Sequence, residues 1–233
     1  MQLGFLVSSG RAKSLSSLNS IGADGAKVCL ADKVRLPGVT LDASLSLKTL
    51  IKTGTGRHSI TTRALRHIRP SLTEEMANLV ACSLVQSRLD YANVLYVGMS
   101  SENFCALQRA QNKIARGVTL SLNRDHITPT LKRLNWLPVC QRVSYKIATL
   151  AYSIRRSREP DCLYSLLEDY TSTRHLRSTN TQRQCVPRTK LKTGERAFSI
   201  AARHVWNALP SGITFAKSLT TFRKLLKNIV YNN

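Results

Sequence analysis

Negative charge is what this sequence has least of. Its 233 residues include 13 Asp and Glu against 35 Lys and Arg, a formal charge of +22. Such an excess suits a polyanionic partner, either nucleic acid or an anionic membrane surface. Long apolar runs are missing too, and none approaches the roughly 18 residues that a membrane span needs. Nucleic acid is therefore the better partner, and no membrane role is expected. The opening MQLGFLVSSGR lacks a basic segment before its few apolar residues, so no secretory signal is expected. The protein is therefore expected inside the cell, nuclear or cytoplasmic. The cysteines (Cys29, Cys82, Cys105, Cys140, Cys162 and Cys185) contain no C-x-x-C pair. This argues against a zinc knuckle and, without a signal, against a disulfide framework. They read as reduced thiols, some of them buried.

Catalytic patterns are also scarce. Two-metal nucleotidyl transfer needs carboxylates that share Mg²⁺, and the chain has no Asp-Asp and no Asp-x-Asp. Glu74-Glu75 sits at a helix start, where a capping and dipole role outweighs metal binding. No phosphate-cradling glycine pattern occurs. The histidines (His58, His67, His126, His175 and His204) are scattered without ligand spacing. No metal, no cofactor and no catalytic residue is expected.

The cations are unevenly spread. Residues 1–70 carry +8, residues 71–120 balance to zero, residues 121–160 carry +6 and residues 161–233 carry +8. The neutral block is also the most apolar, so it is the expected core between basic flanks. Residues 1–35 read as loop with one short strand. VRLPGVTLDASLSL (34–47) suggests a hairpin around Pro37-Gly38. Ser71 with Glu74 predicts a capping box, followed by a buried stripe of Leu72, Met76, Leu79, Val80, Leu84 and Ser87. A helix from Ser100 or Ser101 should bury Phe104, Leu107, Ile114 and Val118 and turn Gln111 outward, with Gly117 as its C-cap.

DHITPTLKRLNWLPVCQRV (125–143) reads as two helix starts. Thr128-Pro129 would begin the first, Asn135 end it, and Pro138 begin a long helix to about Arg156. Asp125-His126 resembles an acid–base pair, but Asp125 before a turn more plausibly accepts backbone N–H groups. Trp136 is a stronger candidate for a buried anchor than for a base-stacking platform. Beyond residue 160, a short helix follows Pro160 and the chain to about residue 196 is irregular or hairpin-like. RAFSIAARHVWNALP reads as a helix ended by Pro210. A last helix is capped by Ser218, with Phe222, Leu225, Leu226 and Ile229 inward. The fold expected is mainly α, a helical bundle with a small N-terminal hairpin and a basic C-terminal α extension. Its divisions would be 1–60, 61–160 and 161–233. The candidate phosphate contacts are Arg109, Lys113, Arg116, Lys132, Arg133, Arg142, Lys146, Arg155, Arg156, Arg188, Lys190 and Lys192. Their spacing has no base-reading signature, so salt-sensitive and weakly sequence-selective binding is expected.

Several stretches resemble one family in the same order. They are GVTLDASLSL (38–47), RPSLT (69–73), SRLDYANVLYVGM (87–99), LQRAQNKIAR (107–116) and the 125–143 stretch. LRST (176–179), VPRTKLKTGERAFSIAARHVWNALP (186–210) and SLTTFRKLL (218–226) complete the set. Together they resemble the C-terminal end of the reverse transcriptase of LINE-like non-LTR retrotransposons of the jockey and chicken-repeat type. Arg203-His204 stand where that family usually has a proline-containing turn. The resemblance implies a parent RNA-directed DNA polymerase, with residues 1–60 as palm edge, 61–160 as thumb and 161–233 as extension. It implies contact with the backbone of RNA or DNA, an RNA–DNA hybrid above all. The family's catalytic carboxylates lie upstream of every matched stretch, so it implies a truncated fragment that does not polymerise. The alternative is an interaction module whose helices, uncovered by the missing palm, self-associate.

Overall fold

A computed structural model of the chain describes residues 4–5, 20–23, 26–31, 33–42, 46–167, 169 and 183–232. It is mainly helical, with a small antiparallel hairpin near the N-terminus. The expected fold class is correct. Packing divides it into two units: residues 1–88 with 99–118, and residues 89–98 with 119–233.

In the first unit, Pro37-Gly38 turns strand β4 (Lys33–Leu36) back into β5 (Val39–Asp42). The hairpin is where expected but shorter. Upstream, where mostly loop was expected, β1 (Gly4–Phe5), β2 (Ser20–Ala23) and β3 (Ala26–Leu30) form a sheet in the order β1-β3-β2. After β5 the Asp42 carboxylate accepts from both the backbone N–H and the hydroxyl of Ser46, at 2.7 and 2.8 Å. This turns the chain into helix α1 (Lys48–Ile68), which packs on β5.

Sequence reasoning missed α1. Its threonines and glycines are poor helix formers, and its inward stripe is only partly apolar: Ile51, His58, Thr62 and Leu65 are buried. That spacing of seven, four and three residues is helical, and packing overrides propensity. Arg69, buried after α1, donates from Nε to the Val118 carbonyl at 2.7 Å and from Nη1 to that of Leu72 at 2.6 Å. It thereby satisfies a carbonyl near the end of α4 (Ser101–Thr119).

Helix α2 (Glu74–Ala81) is capped by Thr73, whose hydroxyl accepts from the Met76 N–H at 3.2 Å. The expected cap, Ser71, lies in a preceding 3₁₀ turn. Of the expected stripe, Leu72 and Val80 are half-buried, but Met76, Leu79 and Leu84 are 55, 72 and 45% exposed, and Ser87 is exposed. Ala77, Ala81, Val85 and Leu89 are buried instead. A strict four-residue spacing drifts about 40° per step on a regular helix. The wider π turn at Cys82–Gln86, which leads into α3 (Ser87–Asp90), absorbs that drift. In α4 Phe104 is half-buried and Leu107, Ile114 and Val118 are buried as expected. Gln111 is buried as well, rather than turned outward. Gly117 lies inside the helix, which ends at Leu120 in the left-handed conformation.

In the second unit, the 125–143 stretch folds as a helix, a stop and a second helix. Helix α5 (Ile127–Arg133) starts at His126, two residues before the expected cap. It ends in a Schellman motif: the Trp136 N–H donates to the Leu131 carbonyl at 2.9 Å and the Asn135 N–H to that of Lys132 at 3.0 Å. Asn135 takes φ 61° there, and Leu131 and Trp136 are both buried. The anchor reading of Trp136 is correct. Pro138 then caps α6 (Val139–Ser157), whose stripe Val139, Val143, Ile147 and Ile154 is buried.

Helix α6 packs against α9 (Phe198–Asn207) and α11 (Leu219–Asn232) within this unit, so the compositional change near residue 160 is not a break in packing. Phe222, fully buried, stacks between Tyr152 at 4.3 Å and Trp206 at 6.3 Å between ring centroids. Ser218 caps α11 as expected, its hydroxyl accepting from the Thr221 N–H at 3.1 Å. Leu225, expected inward, is exposed. Short helices α7 (Asp161–Tyr164), α8 (Lys192–Glu195) and α10 (Ser211–Thr214) fill the connections. Arg203 is a structural pin: buried, it donates from Nη2 to the Leu166 carbonyl at 2.6 Å and from Nη1 to that of Cys185. The irregular or hairpin-like reading of residues 171–182, with His175 and LRST, lies outside the described residues.

Candidate nucleic-acid interface

Helix α4, in the first unit, carries Arg109, Lys113 and Arg116. Their spacing of four and three residues puts them along one side. Arg109 and Lys113 are exposed and Arg116 is half-buried. The Arg109 Nε donates to the Cys105 carbonyl one turn earlier, at 3.3 Å.

The other candidates belong to the second unit. Lys132 and Arg133 are exposed in the last turn of α5, where cations also stabilise the helix C-terminus. Arg188 and Lys190 are exposed on an extended stretch, and the Lys192 side chain lies outside the described residues. Arg142, proposed as a phosphate contact, is instead held by Asp90. Its Nε donates to Oδ1 at 2.8 Å and its Nη2 to Oδ2 at 2.6 Å, with the Arg142 side chain only 16% exposed. Arg155 is similarly engaged: it is ion-paired with Asp169 and lies over the Trp206 ring at 5.1 Å from its centroid. Lys146 and Arg156 are exposed.

Around Arg142 the fold assembles a cationic face that sequence reasoning did not find. Helix α11 packs on α6 and brings Arg223 and Lys227 to the Arg142, Tyr145 and Lys146 side. Burial first, and then the Arg142 charge, hold the Lys227 ammonium below the usual lysine range. Burial pushes the Tyr145 hydroxyl up, and the nearby Arg223 guanidinium partly offsets that. These side chains are some 80 positions apart in sequence, so only packing joins them. The i, i+4 spacing of Arg223 and Lys227 in TTFRKLLKNIV was the one signal available.

The remaining candidate chemistry resolves into structure. The Asp125 carboxylate accepts from the Leu122 N–H at 2.8 Å, the backbone role expected of it, and His126 is exposed. His58 is buried, its Nδ1 has no hydrogen-bond partner among the described residues, and burial followed by the Arg88 charge lowers its pKa. Cys105, Cys140, Cys162 and Cys185 are exposed and Cys82 is half-buried, so the expected buried thiols are not found among the described side chains. Among the described residues no group of three or more His, Cys, Asp or Glu could hold a metal ion. No helix there is long and apolar enough to cross a membrane. Comparison with protein-family models, curated proteins and solved structures finds no match to this chain.

Proposed function

We propose that this chain binds the phosphate backbone of RNA or DNA and carries no polymerase chemistry of its own, as the reverse-transcriptase resemblance implies. The observation that carries the reading is the α6–α11 face, where Lys227 lies near Arg142 and Arg223 near Tyr145, with Lys146 one turn beyond Arg142 on α6. A cationic face with no geometry for reading base edges fits a uniformly charged backbone. Binding to a labelled RNA–DNA hybrid, followed by anisotropy, should weaken steeply with salt. The slope of log K against log salt should flatten by about 0.9 for each cation removed. Lys146→Gln and Arg223→Gln, both at exposed positions, test this without disturbing the core. Salt-independent binding or none would refute the reading, and Mg²⁺-dependent primer extension by the purified chain would refute its second half.

One observation favours the alternative, self-association. Met76, Leu79 and Leu84 on the segment from α2 through the π turn, and Ile60 and Ile68 on α1, are exposed large apolar side chains of the first unit. Association through them would persist or strengthen at high salt, opposite to backbone binding.

A further inference from the structure

Cations and aromatic rings also meet in a second place, within the second unit. A hollow of about 360 Å³ is lined by Arg155, Arg156, Trp206, Phe215 and Lys217, with Tyr152 and Thr214 beneath. That volume lies within the range of roughly 300–1,000 Å³ typical of small-ligand sites. Among the described residues no Asp or Glu lines it. Arg155 is already engaged by Asp169 and Trp206. Arg156 and Lys217 are exposed and have no ion-pair or hydrogen-bond partner among the described residues. Phe215 is 54% exposed at the same opening, although the neighbouring backbone is held in place: the Tyr152 hydroxyl donates to the Ala216 carbonyl at 2.6 Å. An exposed ring beside two free cations offers a face for stacking and charge for a phosphate. A second hollow of about 260 Å³ shares Trp206 and Thr214 with the first and carries another exposed cation, Arg183.

The geometry points to a subsite for single-stranded nucleic acid: one base stacks on Phe215, its phosphate meets Arg156 and Lys217, and the neighbouring nucleotide reaches the Arg183 hollow. Two adjoining hollows sharing a wall, each with its own cation, suit a strand better than a free nucleotide. Ring plus cation is the usual chemistry of single-strand recognition. The inference rests on the nucleic-acid reading above but names a different surface and a different form of the polymer.

The test uses the full chain, a fluorescein-labelled oligo-dT of about 12 nucleotides, long enough for a typical single-strand site, and a blunt RNA–DNA hybrid. Phe215→Ala should weaken oligo-dT binding about tenfold, the order expected for one lost base stack, and leave the hybrid unaffected. Phe215→Trp should restore the strand affinity. Arg156→Gln with Lys217→Gln should flatten the oligo-dT salt slope by about 1.4, at about 0.7 per cation. Equal binding of oligo-dT by wild type and Phe215→Ala overturns the subsite, as does equal loss on the hybrid. Competition by thymidine monophosphate as strong as by unlabelled oligo-dT overturns the strand. If the hybrid binds with a steep salt slope and Phe215→Ala changes nothing, only the subsite falls. If neither nucleic acid binds, the proposed function falls with it.

Discussion

Replacing Asp90 by Asn is expected to weaken the fold and strengthen nucleic-acid binding at the same time. Asp90 holds Arg142 through two hydrogen bonds, with the Arg142 side chain 16% and the Asp90 side chain 43% exposed. Exposed ion pairs contribute about 0.2–1 kcal/mol, and breaking a fully buried pair costs about 3–5 kcal/mol. A pair with one sheltered and one half-solvated partner falls between these, at about 1–2 kcal/mol, because Arg142 loses matched acceptors while the amide in place of the carboxylate stays partly hydrated. On the binding side, the change removes the carboxylate that holds Arg142, whose guanidinium lies near Lys227 on the α6–α11 face. One further phosphate contact should steepen the salt slope by about 0.9. Tyr96 provides an internal check: burial and then the Asp90 charge raise its pKa, so in the variant its phenol should ionise at lower pH by absorbance. Urea unfolding reads the first effect and anisotropy with a labelled hybrid the second. A folded variant that binds no better than wild type, with an unchanged salt slope, would refute the assignment of this face.

Two further predictions concern stability. His58 is buried with its folded pKa below the usual 6.5, through burial and then Arg88, so the unfolded chain protonates first as pH falls. Its contribution is complete above pH about 6.5 and lost below it, by up to about 1.4 kcal/mol per pH unit. His58→Leu should flatten the difference in urea midpoint between about pH 7.5 and 5.5; an unchanged acid sensitivity in the variant would remove His58 as its source. Thr73→Ala should destabilise by about 1 kcal/mol through loss of the α2 cap, while Ser71→Ala should stay within about 0.5 kcal/mol. The opposite order in urea unfolding would restore the capping box at Ser71.

Most of the helices were legible because their signals are local. Pro138 opens α6, Ser218 caps α11, and the Asn-Trp step ends α5, since a left-handed Asn followed by a buried hydrophobe closes a Schellman turn. Helix α1 was illegible because its buried stripe includes His58 and Thr62, which no apolar periodicity would count. The inward face of α2 was misread because small alanines, Ala77 and Ala81, are buried in place of Met76 and Leu79, and the row continues to Val85 rather than Leu84 through the π turn. Among the candidate cations, sequence supplied the list but not the state of each member. Arg142 and Arg155 turned out to be engaged by Asp90 and Asp169, which lie 52 and 14 residues away, while Arg223, Lys227 and Lys217 were passed over.

By itself the sequence determined the mainly helical class, the boundaries marked by caps and turns, and the large positive charge, all properties of neighbouring residues or of totals. Tertiary structure alone decided which cations share a face and which are neutralised by a carboxylate from another element. It also decided that Trp206, Phe215 and Lys217 meet Arg156 around one hollow. Coulomb attraction depends on distance and burial rather than on separation along the chain, and only packing sets those.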